Sequence, residues 1–366
     1  MSPLATIDAF ARAADILDPL PNPYERDPVG FIERELNEEP WSKQVEIAQS
    51  VLDHRYTCVR SCHGTGKSYL ASRLMAWWIA CHPIGEAFVV STAPTQTQVE
   101  AILWREVGKA HRKGSLVGRI TGGMVPAWKV GAEIVGYGRK PQDLQSKEEA
   151  MAAFSGIHAR FVLIIIDEAG GVPKWLFDAV DTLATNASAR VLAIGNPDDP
   201  ASEFAKISEP GSAWNSIKIA FSDTPNFTGE EVSEGLREDL ISPVWVDERK
   251  AAWGEASPLY VSKVLGEFPE VSDDTLLSPK DLLAAQNRTS EPDKDLLGVY
   301  GYDIARLGSD ETVGYRNIAG KIRRVYNRSK QTTMRTAAAI KLETQRHHGE
   351  APTYIDVIGV GAGVYD

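Results

Sequence analysis

The residues Ser61, Cys62, His63, Gly64, Thr65, Gly66, Lys67 and Ser68 form the run SCHGTGKS between an apolar stretch and an apolar helical pattern. A phosphate-binding loop requires that setting. Gly64 and Gly66 let the backbone turn its amides inward, Lys67 reaches the β- and γ-phosphates, and the Ser68 hydroxyl ligates Mg²⁺. Ser61 stands where the strict pattern has glycine, but a side chain this small still permits the turn. Far downstream, FVLIIIDEAGG (161–171) reads as a buried strand ending in two carboxylates. Asp167 is placed to hold the Mg²⁺ water shell, and Glu168 to take a proton from an attacking water. Such carboxylates are costly to bury unless they serve a cation. Together the two motifs predict ATP hydrolysis in a P-loop ATPase of the additional-strand type.

Three weaker signals point the same way. In WSKQ (41–44), Gln44 can both accept from and donate to an adenine edge, although an ordinary surface glutamine would look the same. Asn196 ends RVLAIGNP (190–197), where it either senses the γ-phosphate or caps a turn. STAPTQTQ (91–98) ends a strand and opens a helix whose free amides suit an anion. An arginine that stabilises γ-phosphate charge is also expected. Arg60, Arg105, Arg139 and Arg160 are the candidates, with Arg105 and Arg139 favoured because both lie in the basic stretch between the motifs.

The elements that must position these residues are short apolar runs alternating with helical patterns. The runs are 56–59, 87–92, 161–166 and 190–195, each continuous and not alternating, as expected of parallel strands covered on both faces. Helices are expected over Lys67–Cys81 and Gln96–Lys113, and a hairpin turning at Gly131 within 129–137. This order predicts an α/β fold with a mostly parallel sheet and right-handed crossovers. From about residue 197 the chain becomes proline-punctuated, with short helices expected over Glu230–Ile241 and Trp245–Trp253. After Leu296 comes strand, strand, strand, helix (Thr332–His347) and strand, the opening half of a ribonuclease H-like α/β domain. Its first and fourth strands lie side by side and carry Asp303 and Asp356. Paired acids of this kind hold two divalent ions for phosphodiester hydrolysis; aspartates on a solvated strand end are the plainer alternative. The expected division is an ATPase domain over 1–225, a linker subdomain over 226–290 and the ribonuclease H-like domain over 291–366.

Composition excludes several classes. The chain has 366 residues, 43% hydrophobic and 24% charged, which is enough for a large core and rules out a disordered chain. No apolar run approaches the ~20 residues that span a bilayer. The opening residues lack a basic segment followed by an apolar one, so no secretory signal is expected. Three cysteines without CxxC spacing favour a reducing compartment and argue against zinc. The net charge of −11 speaks against nucleic acid, but Arg105–Lys147 and Arg316–Arg346 are locally basic. These segments fit either DNA-facing surfaces or solvated faces.

The succession SCHGTGKS, GIHARFVLIIIDEA and AIGNP, with DPVGFIERELNEEPWSKQ (27–44) before it and SPLYVSKVLGEFPE (257–270) after it, resembles the large terminase subunit of tailed bacteriophages. That resemblance covers nearly the whole chain. It implies an ATPase that drives double-stranded DNA into capsids, joined to a nuclease that cuts concatemeric DNA. ATP and Mg²⁺ would serve the first site, and Mg²⁺ or Mn²⁺ the second. Asp303 and Asp356 would be the first two nuclease ligands and Asp310 an auxiliary. A small terminase subunit and the portal of the procapsid are the implied partners, with a ring oligomer on the portal, in the bacterial cytoplasm and away from membranes. Similar nucleases take a third acid from a C-terminal helix; the sequence stops before one, so an incomplete nuclease is expected. The rival readings are a helicase-like DNA translocase and a non-catalytic prophage remnant that only binds DNA.

Overall fold

The computed structural model describes residues 22–140, 159–270, 279–287, 298–305, 310–345, 351–357 and 361–365. The opening stretch read for a targeting signal, the 141–147 end of the first basic segment and the 346–347 end of the last expected helix lie outside these residues. The chain divides into two compact units, 1–279 and 280–366.

The first unit is built on an eight-stranded sheet of order β3-β4-β5-β2-β6-β7-β1-β8. In chain order the strands are β1 (Tyr56–Ser61), β2 (Ala87–Thr92), β3 (Arg119–Thr121), β4 (Ala127–Val130), β5 (Glu133–Gly138), β6 (Phe161–Ile166), β7 (Arg190–Gly195) and β8 (Asn215–Ile219). The six strands from β5 to β8 in that order run parallel, and β3 and β4 are added antiparallel at one edge. The continuous apolar runs are explained by two cores. Leu163 and Ile165 of β6 face one core with Leu192 and Ile194 of β7. Val162, Ile164 and Ile166 face the other with Val191 and Ala193. Successive side chains of a strand point to opposite faces, so a strand covered on both sides has no polar alternation.

Helix α1 (Ser42–Asp53), helix α2 (Lys67–Cys81) and helix α3 (Arg105–Lys113) cover the first face, and α4 (Lys174–Leu183) covers the second. The expected helix over 96–113 is continuous, but Gln98–Trp104 winds as a π-helix before α3. The wider turn lets Val99, Leu103 and Trp104 all face the sheet, where the Trp104 Nε1 donates to Ser91 Oγ at 2.8 Å. The β4–β5 hairpin turns at Gly131 as expected.

The proline-rich stretch folds onto the first unit. Strand β8, which the sequence did not announce, adds itself parallel to β1 at the sheet edge. Only six residues of the expected Glu230–Ile241 helix form, Glu234–Asp239, because the Ser233 hydroxyl caps the chain there by accepting from Leu236 N. Two Ser-Pro steps start helices in the same way. Ser242 opens α5 (Pro243–Trp253) and Ser257 opens α6 (Pro258–Lys263), each serine capping the turn and each proline at a position that needs no N–H. Cys62, Ile241, Val246, Tyr260 and Val264 form a small core that joins these helices to the SCHGTGKS loop.

The second unit is a four-stranded sheet of order β11-β10-β9-β12, with β9 (Val299–Asp303), β10 (Glu311–Ile318), β11 (Lys321–Ser329) and β12 (Thr353–Ile355). Helix α7 (Thr333–Gln345) packs Ile340 against Tyr300 and Tyr302. The first and fourth strands of this unit are neighbours, β12 parallel to β9. Among the described residues, no helix is long and apolar enough to cross a membrane.

Candidate functional site

β1 delivers the chain into the loop, and Gly66 (φ 76°) turns it into α2. A Cβ on Gly66 would meet only the Gln44 Nε2, the far end of a side chain that can move aside, so it is the left-handed backbone that calls for glycine here. Inside the loop, Ser61 Oγ and Thr65 Oγ1 are 2.7 Å apart, and the Lys67 ammonium donates to the Cys62 carbonyl at 2.9 Å. The departure from glycine at Ser61 therefore supplies an internal brace. Three backbone bonds from the proline-rich stretch fix the loop from outside: Cys62 N to Ile219 O, His63 N to Lys263 O and Ile241 N to Gly64 O, at 2.9, 2.9 and 2.8 Å.

The Ser68 hydroxyl donates to the Asp167 carboxylate at 2.9 Å, across 99 residues of chain. That contact joins the start of α2 to the end of β6, whose strand is separated from β1 by β7. Asp167 is 1% exposed. Burial, reinforced by the neighbouring Glu168, pushes its carboxyl up to about 6. Glu168 itself adopts a left-handed conformation (φ 49°, ψ 49°), an uncommon one for a residue with a side chain. A Cβ on Gly195 would lie 2.8 Å from the Ala169 N, so glycine there allows β7 to end against this turn. Burial also lowers the Lys67 pKa, while the charges of Glu168 and Asp167 act to restore it.

Gln44 is buried, its Nε2 reaching the Thr65 carbonyl at 3.4 Å while its Oε1 has no partner. It borders a cavity of about 790 Å³ beside Gly66, lined also by Tyr69, Arg73, Glu38 and Leu240. Asn196 is buried too; its Nδ2 donates to the Ser61 carbonyl at 2.6 Å and ties the ends of β7 and β1 together. The Cys62 thiol is pushed up to about 12 by burial. His63 packs edge-on to Trp245 at 6.3 Å. Desolvation, with the Lys263 and Lys67 charges, lowers its imidazole to about 4. Of the candidate arginines, Arg60 is ion-paired to Glu267 and Arg160 to Glu86. Arg105 is exposed at the start of α3, and Arg139 follows β5 with its N–H on Ser91 O.

In the second unit, Asp303 ends β9 and Asp356 follows β12, its N–H donating to Tyr302 O at 3.0 Å. The parallel pairing puts these two at the same end of the sheet. Asp310 precedes the antiparallel β10, whose start lies at that end as well. Among the described residues, no group of three or more His, Cys, Asp or Glu side chains is gathered as a metal site.

Sequence reasoning missed Lys263 and Asp198, which form an ion pair at 2.6 Å beside the loop. Nothing local marks either residue, because only the folding back of α6 brings Lys263 to the loop.

A loop between a buried parallel strand and a helix, with a Ser–Asp contact to the next strand but one, defines a P-loop nucleotide-binding α/β fold of the additional-strand class. A family model described as an AAA domain matches residues 40–203. The probable terminase large subunit of Enterobacteria phage P7 is 26% identical over 290 residues, covering 75% of this chain and 54% of that protein. By sequence the chain is similar to that terminase large subunit, and it spans about half the length of the curated relative it matches. Among solved structures, the ATPase domain of the Thermus phage P74-26 large terminase is similar at TM-score 0.46 and 18% identity, over 66% of this chain and 98% of that one. The HK97 bacteriophage large terminase is similar at TM-score 0.49 and 13% identity, over 91% and 74%.

Proposed function

We propose that this chain is the ATP-hydrolysing motor of a phage or prophage large terminase subunit and drives double-stranded DNA into capsids. The observation that carries this reading is the Ser68–Asp167 contact at 2.9 Å, which sets a phosphate-binding loop against a buried carboxylate. The residues suit a divalent ion. Asp167 is buried at the end of an apolar strand, where a nearby cation would offset its burial, and Ser68 offers the second oxygen. Ser68 and Asp167 would hold Mg²⁺, which neutralises phosphate charge when bound. The amides of Gly64–Ser68 cradle the phosphates, and Lys67 stabilises the charge that develops on the γ-phosphate. Glu168, turned out of the strand by its left-handed conformation, orients the attacking water and accepts its proton. The nucleoside occupies the cavity beside Gly66, where the unpaired Gln44 Oε1 accepts from the adenine amino group.

In the second unit, Asp303 and Asp356, helped by Asp310, would bind Mg²⁺ or Mn²⁺ for phosphodiester cleavage. The side-by-side strands β9 and β12 support this pairing. A small terminase subunit, the portal and a ring of further copies in the host cytoplasm are the proposed partners.

Steady-state ATPase assays test the motor. Lys67→Ala and Glu168→Gln should each lose ~10²-fold or more in turnover, while Glu168→Gln still binds ATP. Near-normal turnover in either variant overturns the roles assigned. For the nuclease, any nicking of supercoiled plasmid with Mn²⁺ should disappear in Asp303→Ala.

A further inference from the structure

Lys263 ends α6 beside the phosphate-binding loop and makes one contact to the loop and one to the segment after β7. Its carbonyl accepts the His63 N–H at 2.9 Å, and its ammonium pairs with Asp198 at 2.6 Å. Asp198 lies two residues past Asn196, the residue that holds the Ser61 carbonyl at the end of β7. Because β7 lies between β1 and β6 and runs parallel to both, the residues that follow it leave the sheet at the same end as the loop and Glu168. The Lys263 charge is felt by both His63 and Lys67.

As a structural device this arrangement is poor. The pair holds a side chain 20% exposed against one 48% exposed, and bridges of that kind contribute little. A second ammonium near Lys67 is repulsive, and an anion bound between the two relieves that repulsion. Lysine also suits exchange of partners, being a compact charge on a flexible stem.

We propose that Lys263 is a second phosphate-binding cation, which leaves Asp198 to contact the terminal phosphate of a bound triphosphate. The proposal rests on nucleotide binding at the P-loop. It places a catalytic residue outside the two sequence motifs, on a helix that reaches the loop only through tertiary folding. The diphosphate, lacking the terminal group, leaves the Lys263–Asp198 pair closed.

Titration calorimetry of the full chain with ATPγS and with ADP, both with Mg²⁺, tests it. Lys263→Met keeps the stem and the backbone bond to His63. It should weaken ATPγS ~10-fold or more while ADP changes less than about twofold, and Lys263→Arg should restore part of the loss. Asp198→Asn, which releases Lys263, should tighten ATPγS by a few-fold on the order of one freed charge. A merely structural bridge predicts the opposite, with both variants weakening the two nucleotides alike. That pattern, or an unchanged ATPγS affinity in Lys263→Met, overturns the proposal. Lys67→Ala should weaken both ligands; if it weakens neither, the P-loop reading itself has failed, independently of Lys263.

Discussion

Asp167 is held where its charge is least welcome, at the buried end of β6 beside Glu168. Its carboxyl sits at about 6 against an ordinary 3.8, raised by burial first and by Glu168 second. Between those two values the native state keeps a proton that the unfolded chain has lost, so stability falls as pH rises through that window. Above it, the buried charge costs on the order of 3 kcal/mol, taking 1.36 kcal/mol per pKa unit. Asp167→Asn should therefore be more stable than the parent at pH 7.5 in a chelating buffer. The gap should close below about pH 4, where the parent carboxyl is protonated in both states. Urea midpoints at the two pH values check this, and a less stable variant at pH 7.5 would refute it. The same variant should lose most ATPase activity, so a gain in stability would come with a loss of function, as strained functional sites commonly show.

At the scale of the element, α2 has two jobs. Its first turn presents Lys67 and Ser68, and two turns later Arg73 anchors it. The Arg73 guanidinium grips Glu38 at 2.7 and 2.8 Å, reaches Glu106 of α3 at 3.0 Å and lies 3.8 Å over the Tyr69 ring. Burial alone would raise the Glu38 carboxyl, but the hydrogen bonds and charge of Arg73, with Tyr69 and Lys113, bring it below its ordinary 4.5. A depressed carboxylate stabilises the fold above its unfolded value and loses that contribution as pH falls. Arg73→Met leaves Glu38 charged, buried and without its main partner, a change that costs about 3–5 kcal/mol. The variant should unfold well below the parent's denaturant midpoint at pH 7. The difference should shrink by pH 4, where Glu38 can take a proton. An unaltered midpoint at pH 7 would mean that α2 is anchored by its apolar face alone.

For the whole molecule, a net charge of −11 means that the proposed DNA binding would have to fall to local surfaces. In the second unit, β11 is an edge strand on which Arg323, Arg324 and Arg328 are exposed, and Tyr315 on β10 is 47% exposed beside Arg324. An edge strand studded with arginine resists pairing with other strands and suits phosphate. Reversing all three arginines to glutamate should flatten the dependence of log affinity on log salt by ~0.9 for each phosphate no longer neutralised. Fluorescence anisotropy with duplex oligonucleotides of two unrelated sequences would measure it. The same slope in the variant would mark the segment as a solvated face, and a difference between the two sequences would point to base reading.

The sequence by itself determined the strands β1, β2, β6 and β7, the helix Lys67–Cys81 and the hairpin at Gly131. Each is encoded locally, by an apolar run, a helical period or a turn glycine. It also determined which residues form the loop and its carboxylates, because Lys67, Ser68, Asp167 and Glu168 sit at element ends that those patterns mark. The side-by-side placing of Asp303 and Asp356 was legible too, through the order of elements. Only the tertiary structure decided that β8 extends the sheet beyond β1, since the short NSIKI carries too little period to stand out. It alone assigned the Asn196 amide to the Ser61 carbonyl, 135 residues away, and left the Gln44 Oε1 unpaired beside a cavity. And it alone brought Ile219, Ile241 and Lys263 onto the loop. Those contacts are made by backbone groups, which every residue carries, so no side-chain pattern records them; they exist only once the proline-rich stretch has folded back.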